Sequence, residues 1–265
     1  MERTLTGSWS LVLGASSGMG RSCALALAEA GSNILGVHLD SAHRQGEVDE
    51  IVERIRGYGV QAHFFNDNAA SDKARGRVLE EATKQMDGDG VRVLVHSLAF
   101  GSLVPFLPES ESEEVLSQRQ LDMTMSVMAN SLVYWVQDLF RAGLLPSGGK
   151  VFALTSAGTS RVARNYGAVS AAKCALESHV RQLAVELAPH GVSVNAIRAG
   201  ITLTPSFLRI PESGELAERA GLANPHGRLT TPEDVAEAIA LLARARSSWL
   251  TGNVIGVDGG EILTV

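Results

Sequence analysis

Short apolar runs alternate along this chain with longer stretches of helical periodicity. Ser10 to Leu13, Asn33 to His38, Ala62 to Phe65, Val91 to Val95, Lys150 to Leu154, Val192 to Ile197 and Gly252 to Val257 are brief and mostly apolar. Runs of this kind mark strands covered on both faces, as in a parallel sheet. Between them, Arg21 to Ala30 reads as an Ala/Leu helix closed by Gly31, and Glu47 to Arg56 carries Val48, Ile51, Val52 and Ile55 on one side. Further helices are expected from about Lys73 to Met86, from about Glu113 to Ala142, and from the Tyr166 region to a stop at Pro189-His190-Gly191. A short one is expected near Gly214 to Gly221. Thr231-Pro232-Glu233-Asp234 is a sharp helix start, with a Thr cap, Pro at the first position and acids in the first turn. Strands alternating with helices, without internal repeats, predict an α/β chain: one doubly wound parallel sheet with helices on both faces. One domain over residues 1–265 is expected, with residues 200–228, a long Pro- and Gly-containing segment, as its substrate loop.

Charge and composition narrow the partners. A net charge of −6, with Lys and Arg scattered, argues against nucleic acid and anionic membrane surfaces and favours an enzyme of small substrates. No apolar run reaches the ~18 residues of a membrane helix, and Met1-Glu2-Arg3-Thr4 lacks the start of a signal peptide, so a cytoplasmic location is the expectation. Cys23 and Cys174 lie in apolar helical stretches without metal-ligand spacing. Both are expected to be buried small hydrophobes, and no metal site is expected.

The first strand runs directly into Gly14-Ala15-Ser16-Ser17-Gly18-Met19-Gly20 and then a helix. Strand, glycine turn and helix N-terminus together make an anion site suited to a dinucleotide pyrophosphate. The second strand ends at His38, eighteen residues after Gly20, where a ribose is expected. Asp40 there suits the free 2′-hydroxyl of NAD, Arg44 the 2′-phosphate of NADP, and both are also compatible with plain solvation. Asn68, after the third strand, is a candidate for the adenine edge. The fourth strand delivers His96-Ser97-Leu98-Ala99 to the crevice where strand order reverses. His96 is read as structural, not as a base.

The fifth strand delivers Ser156 to the same crevice, and Tyr166 and Lys173 follow. Seven residues at ~100° each is close to two helical turns, so Tyr166 and Lys173 are expected on one helix face. An ammonium beside a phenol favours the phenolate and makes the hydroxyl a better donor.

From about Trp9 onward the chain resembles the short-chain dehydrogenase/reductase family, through its glycine triplet, Ser156, Tyr166, Lys173 and Val257-Asp258-Gly259-Gly260. That resemblance implies a Rossmann-type fold and a nicotinamide dinucleotide. In most of the family the Tyr stands four residues before the Lys, a position held here by Val169. A Tyr seven residues before the Lys, the His96 to Phe100 segment, and Ser126 at the place of a relay Asn resemble instead the enoyl-acyl carrier protein reductase branch. The resemblance implies Tyr166, Lys173 and Ser156 as catalytic. It implies cofactor contacts at Gly14, Ser16, Ser17, Gly18, Met19, Gly20, His38, Asn68, Ser97, Leu98, Ala99, Lys173, Gly200, Thr202 and Thr204. The closer likeness is a minority branch that uses NADPH, with NADH left open by the residues. An enoyl thioester, carried by acyl carrier protein, is the implied substrate, with carbonyl reduction by the same Tyr and Lys as the alternative. A homotetramer and a place in fatty acid biosynthesis are implied as well.

Overall fold

The computed structural model describes residues 5–110 and 114–264. Seven parallel strands form one sheet in the order β3-β2-β1-β4-β5-β6-β7. They are β1 (Trp9–Leu13), β2 (Asn33–His38), β3 (Ala62–Asn66), β4 (Val91–His96), β5 (Lys150–Ser156), β6 (Ser193–Ala199) and β7 (Val254–Val257). The five residues of β1, at the centre, are all buried. That is why the strand reads as continuous apolarity and not as alternation.

Helices cover both faces. On one, α1 (Gly18–Glu29), α2 (Gln45–Gly57) and α8 (Pro232–Ala243) pack through Cys23, Leu27, Ile51, Ile55, Val235 and Ile239. On the other lie α3 (Asp72–Met86), α5 (Ser131–Arg141) and α6 (Gly167–Leu187), with Val78, Trp135, Leu139, Leu176 and Val180 in the core. The remaining helices are α4 (Gln118–Met125), α7 (Ser213–Ala223) and the C-terminal α9 (Glu261–Thr264). Helix α8 begins as its sequence signals: Thr231 and Asp234 form a reciprocal capping box around Pro232. β1 pairs with both β2 and β4, so the strand order reverses there and a crevice opens at the C-terminal ends of the strands.

Three expectations need correction. The helix expected from Glu113 starts at Gln118; Glu113 lies outside the described residues, and Ser117 with Gln120 closes a capping box that sets the true start. The same stretch is broken by a π-helical turn over Ser126–Asn130. Cys23 is buried but Cys174 is exposed, because α6 turns Ala172, Lys173 and Leu176 inward and leaves Cys174 on the outer side. Among the described residues, no helix is long and apolar enough to cross a membrane and no group of His, Cys, Asp and Glu forms a metal cluster.

Candidate active site

The glycine turn packs backbone against backbone. Gly14 has φ +87°, and a Cβ there would press on the Ser97 carbonyl; one on Gly20 would collide with the Gly14 carbonyl. Only glycine fits at either position. Ser97 is fixed in turn by donating its N–H to the Leu13 carbonyl at 2.9 Å. Ser17 caps α1 in an extended conformation without a side-chain bond, and no acid occupies the first turn. The first-turn N–H groups of α1 are therefore open to an anion. A Cβ on Gly18 would meet the Thr204 methyl at 3.2 Å, so the loop after β6 closes against the same turn. This cradle fits a dinucleotide: Gly14 to Gly20 would hold the pyrophosphate, flanked by Ser97 to Ala99 and Gly200 to Thr204.

At the ribose end the structure rearranges the expected contacts. His38 is buried, so its ring presents no open edge; its Nδ1 lies 2.9 Å from Asp40 Oδ2. Asp40 is the acid at this end of the crevice. Burial pushes its carboxyl up, but hydrogen bonds with Ser16 and His38 and the charge of Arg44 outweigh burial and hold it below the usual range. Arg44 is itself shared between Asp40 and Glu47, at 2.6 and 2.8 Å. Asn68 turns its Oδ1 to the Ala70 N–H at 3.0 Å and serves its own turn.

Asn165 has φ +59°, and Tyr166 is the N-cap of α6, with φ −97° and ψ 2°. Its carbonyl accepts the Ser170 N–H at 2.8 Å, the first bond of the helix. The phenol Oη lies 3.4 Å from Ser156 Oγ, at the end of β5. Lys173, inside α6 and 5% exposed, donates from Nζ to the Leu154 carbonyl at 2.7 Å. Burial pushes this amine down to about 8, against the opposing charge of Glu177. Burial also raises the phenol of Tyr166, against the Ser156 hydrogen bond, so it lies above its ordinary range and not below it as expected. Val169, one helical turn before Lys173, is buried in the core.

His96 is fully buried, with Nε2 2.8 Å from Ser131 Oγ, which itself donates to the Val127 carbonyl at 2.7 Å. Burial first, then the charge of Lys173, pushes its imidazole down to about 3, so it stays neutral. Thr202 and Thr204 brace the loop after β6: Thr202 Oγ1 donates to the Gly200 carbonyl at 2.9 Å, and Thr204 Oγ1 accepts the Phe207 N–H at 3.2 Å. Arg164, two residues before Tyr166, pairs with Glu109 and Glu212 at 2.8 and 3.5 Å and so links the segment after β4 to the start of α7. The sequence reading missed Arg164 and also Glu261, whose partners are remote in sequence.

Over residues 14–261 the chain matches the family described as Enoyl-(Acyl carrier protein) reductase. A 3-oxoacyl-(acyl-carrier-protein) reductase from Aquifex aeolicus is 32% identical over 264 residues, covering 98% of this chain and 99% of that protein. The L-xylulose reductase of Bos taurus is 29% identical over 266 residues, covering 100% of both. Among solved structures, an enoyl-(acyl-carrier-protein) reductase (NADH) from Aquifex aeolicus superposes with a TM-score of 0.82, at 25% identity and 98% coverage of each chain.

Proposed function

This chain belongs to the short-chain dehydrogenase/reductase family and is an oxidoreductase of nicotinamide dinucleotides, and from that premise we propose that it reduces the carbon–carbon double bond of a 2-enoyl thioester. The observation that carries the reading is the exchange of positions around Lys173. A buried valine fills the place one turn upstream, and the phenol comes from the N-cap of α6 to stand beside Ser156. When bound, the reduced dinucleotide supplies the hydride.

As the β-carbon is reduced, negative charge develops on the thioester oxygen. Tyr166 donates a hydrogen bond to that oxygen, an interaction stronger in the transition state than in the ground state. A phenol raised by burial suits this task, since it donates without giving up its proton. Ser156 orients the phenol or adds a second donor, and a proton taken from solvent at the α-carbon completes the reduction. Lys173 holds the nicotinamide ribose hydroxyls and supplies positive potential. Ser126, where the relay of carbonyl reductases has an Asn, supports the same reading.

The two reductases of Aquifex aeolicus and Bos taurus carry names of carbonyl chemistry, which supports a second reading, ketone reduction with the same Tyr166 and Lys173. Loss of reduced-cofactor absorbance separates the two. The proposal expects crotonyl thioester to be turned over at least about tenfold better, in kcat/KM, than any of a panel of ketones and sugars, a difference of ~1.4 kcal/mol in transition-state binding. The reverse preference would establish the second reading.

For the nucleotide, the ionised Asp40 against Ser16 supports a free 2′-hydroxyl, and Arg44 is already engaged by two carboxylates. We infer NADH on this ground, in place of the NADPH that the family resemblance implies. A 2′-phosphate beside Asp40 brings like charges together. Asp40→Asn is expected to shift the NADPH to NADH ratio of kcat/KM toward NADPH by about tenfold. Wild-type protein that prefers NADPH would overturn the inference.

A further inference from the structure

After β7 the chain turns through Asp258-Gly259-Gly260 into α9, and Glu261 at its start is only 3% exposed. The reaction described above makes no use of this carboxylate. Its Oε2 accepts the backbone N–H of Ile201 at 2.9 Å, at the point where the loop leaves β6. The partly buried N–H of a departing chain needs an acceptor, and a carboxylate gives a strong, charge-assisted one. Gly200 permits the approach, since a Cβ there would sit 2.8 Å from Oε2.

The turn that carries Glu261 is braced from several sides. Asp258 Oδ1 accepts the Gly260 N–H at 3.0 Å, and the buried Asn224 Nδ2 donates to the Asp258 carbonyl at 2.9 Å. Arg161, from the loop between Ser156 and Tyr166, donates to the Ile262 carbonyl at 2.9 Å. Thr264 Oγ1 donates to the carbonyl of Ala223, the last residue of α7, at 2.8 Å. One short C-terminal turn therefore holds three separate walls of the crevice: the loop after β6, the loop that carries Tyr166, and α7.

We propose that Glu261 is a positioning residue for dinucleotide binding: its carboxylate fixes where the Ile201–Thr204 loop starts, and hence how closely Thr204 approaches the glycine turn. Ile262 and Thr264 extend the same control to the Tyr166 loop and to α7. The proposal rests on the reading that the glycine turn and the loop after β6 together border the dinucleotide site, which the contact between Gly18 and Thr204 supports.

The test compares full-length Glu261→Ala and Glu261→Gln, titrated with NADH and with NADPH by nucleotide fluorescence and followed by kcat and KM. Glu261→Ala is expected to weaken dinucleotide binding at least about tenfold and to raise its KM more than it lowers kcat. Glu261→Gln is expected to stay within about threefold of wild type, because the amide carbonyl still accepts from Ile201. Should Glu261→Ala fail to fold, Arg161→Met and Thr264→Val release the same turn from outside, and each is expected to weaken binding at least about threefold. Binding by Glu261→Ala within about twofold of wild type would overturn the proposal, as would Glu261→Gln as weak as Glu261→Ala, or unchanged binding in both outer variants. Wild-type protein that binds neither nucleotide would overturn the dinucleotide reading together with the proposal, whereas binding that ignores Glu261 overturns the proposal alone.

Discussion

Tyr166→Phe is expected to lower turnover of a crotonyl-type thioester by at least about a hundredfold, the usual cost of removing a hydrogen-bond donor from a developing oxyanion. The ring packs against the core from the N-cap of α6, and a Cβ on Gly158 would lie 2.6 Å from its Cε1. Phenylalanine keeps that packing. Among the described residues the hydroxyl makes only the 3.4 Å contact with Ser156 Oγ, so its loss costs stability less than about 1 kcal/mol. Melting temperature and dinucleotide affinity should therefore stay near wild type while kcat falls and the acyl KM changes little, the pattern of an interaction made in the transition state. Turnover within about twofold of wild type would remove Tyr166 from the reaction. Ser156→Ala, with its smaller expected loss of about tenfold, would then decide whether Ser156 donates to the substrate or only orients the phenol.

The sheet was legible because its strands are covered on both faces: a buried strand such as Trp9–Leu13 is mostly apolar, and its one polar side chain, Ser10, is buried with a partner, Ser32 Oγ at 2.7 Å. The glycine turn was legible for a related reason, since Gly14 and Gly20 leave no room for any Cβ. The start of α6 in the Tyr166 region was legible too, but not what sets it: Asn165 takes a left-handed conformation, and Tyr166 follows as the N-cap whose carbonyl accepts the Ser170 N–H. Contacts that form only on folding were equally hidden. Asp40 reaches Ser16 on the turn after the neighbouring strand, and Glu261 finds Ile201 sixty residues upstream, through charges that look solvated in sequence. Cys174 shows the converse: an apolar neighbourhood in sequence does not say which side of a helix faces the core.

Lys173→Met should show that this amine acts on stability and on activity in opposite directions as pH changes. The unfolded amine titrates at its ordinary 10.5, whereas burial pushes the folded one down to about 8. Below pH 8 both forms carry the proton, and the folded chain bears the full cost of a buried ammonium, on the order of 3 kcal/mol from the displacement of its pKa. Between about 8 and 10.5 the unfolded chain binds more protons than the folded one, so stability rises with pH and the cost is relieved. Methionine does not titrate, so the stability of wild type relative to Lys173→Met should climb across that window in denaturant titrations of the nucleotide-free protein. Activity should do the reverse. If the charged ammonium holds the ribose hydroxyls and supplies the potential that favours the developing oxyanion, wild-type kcat/KM falls as pH passes about 8. Lys173→Met should be slower by about a hundredfold or more and flat through the same range. A wild-type profile flat from pH 7 to 9.5, or a stability difference independent of pH, would mean that the Lys173 charge has no part in either effect. An ammonium held on the Leu154 carbonyl is a charge kept at the expense of stability, and opposed pH slopes are the signature that would separate a catalytic one from a lysine retained only for packing.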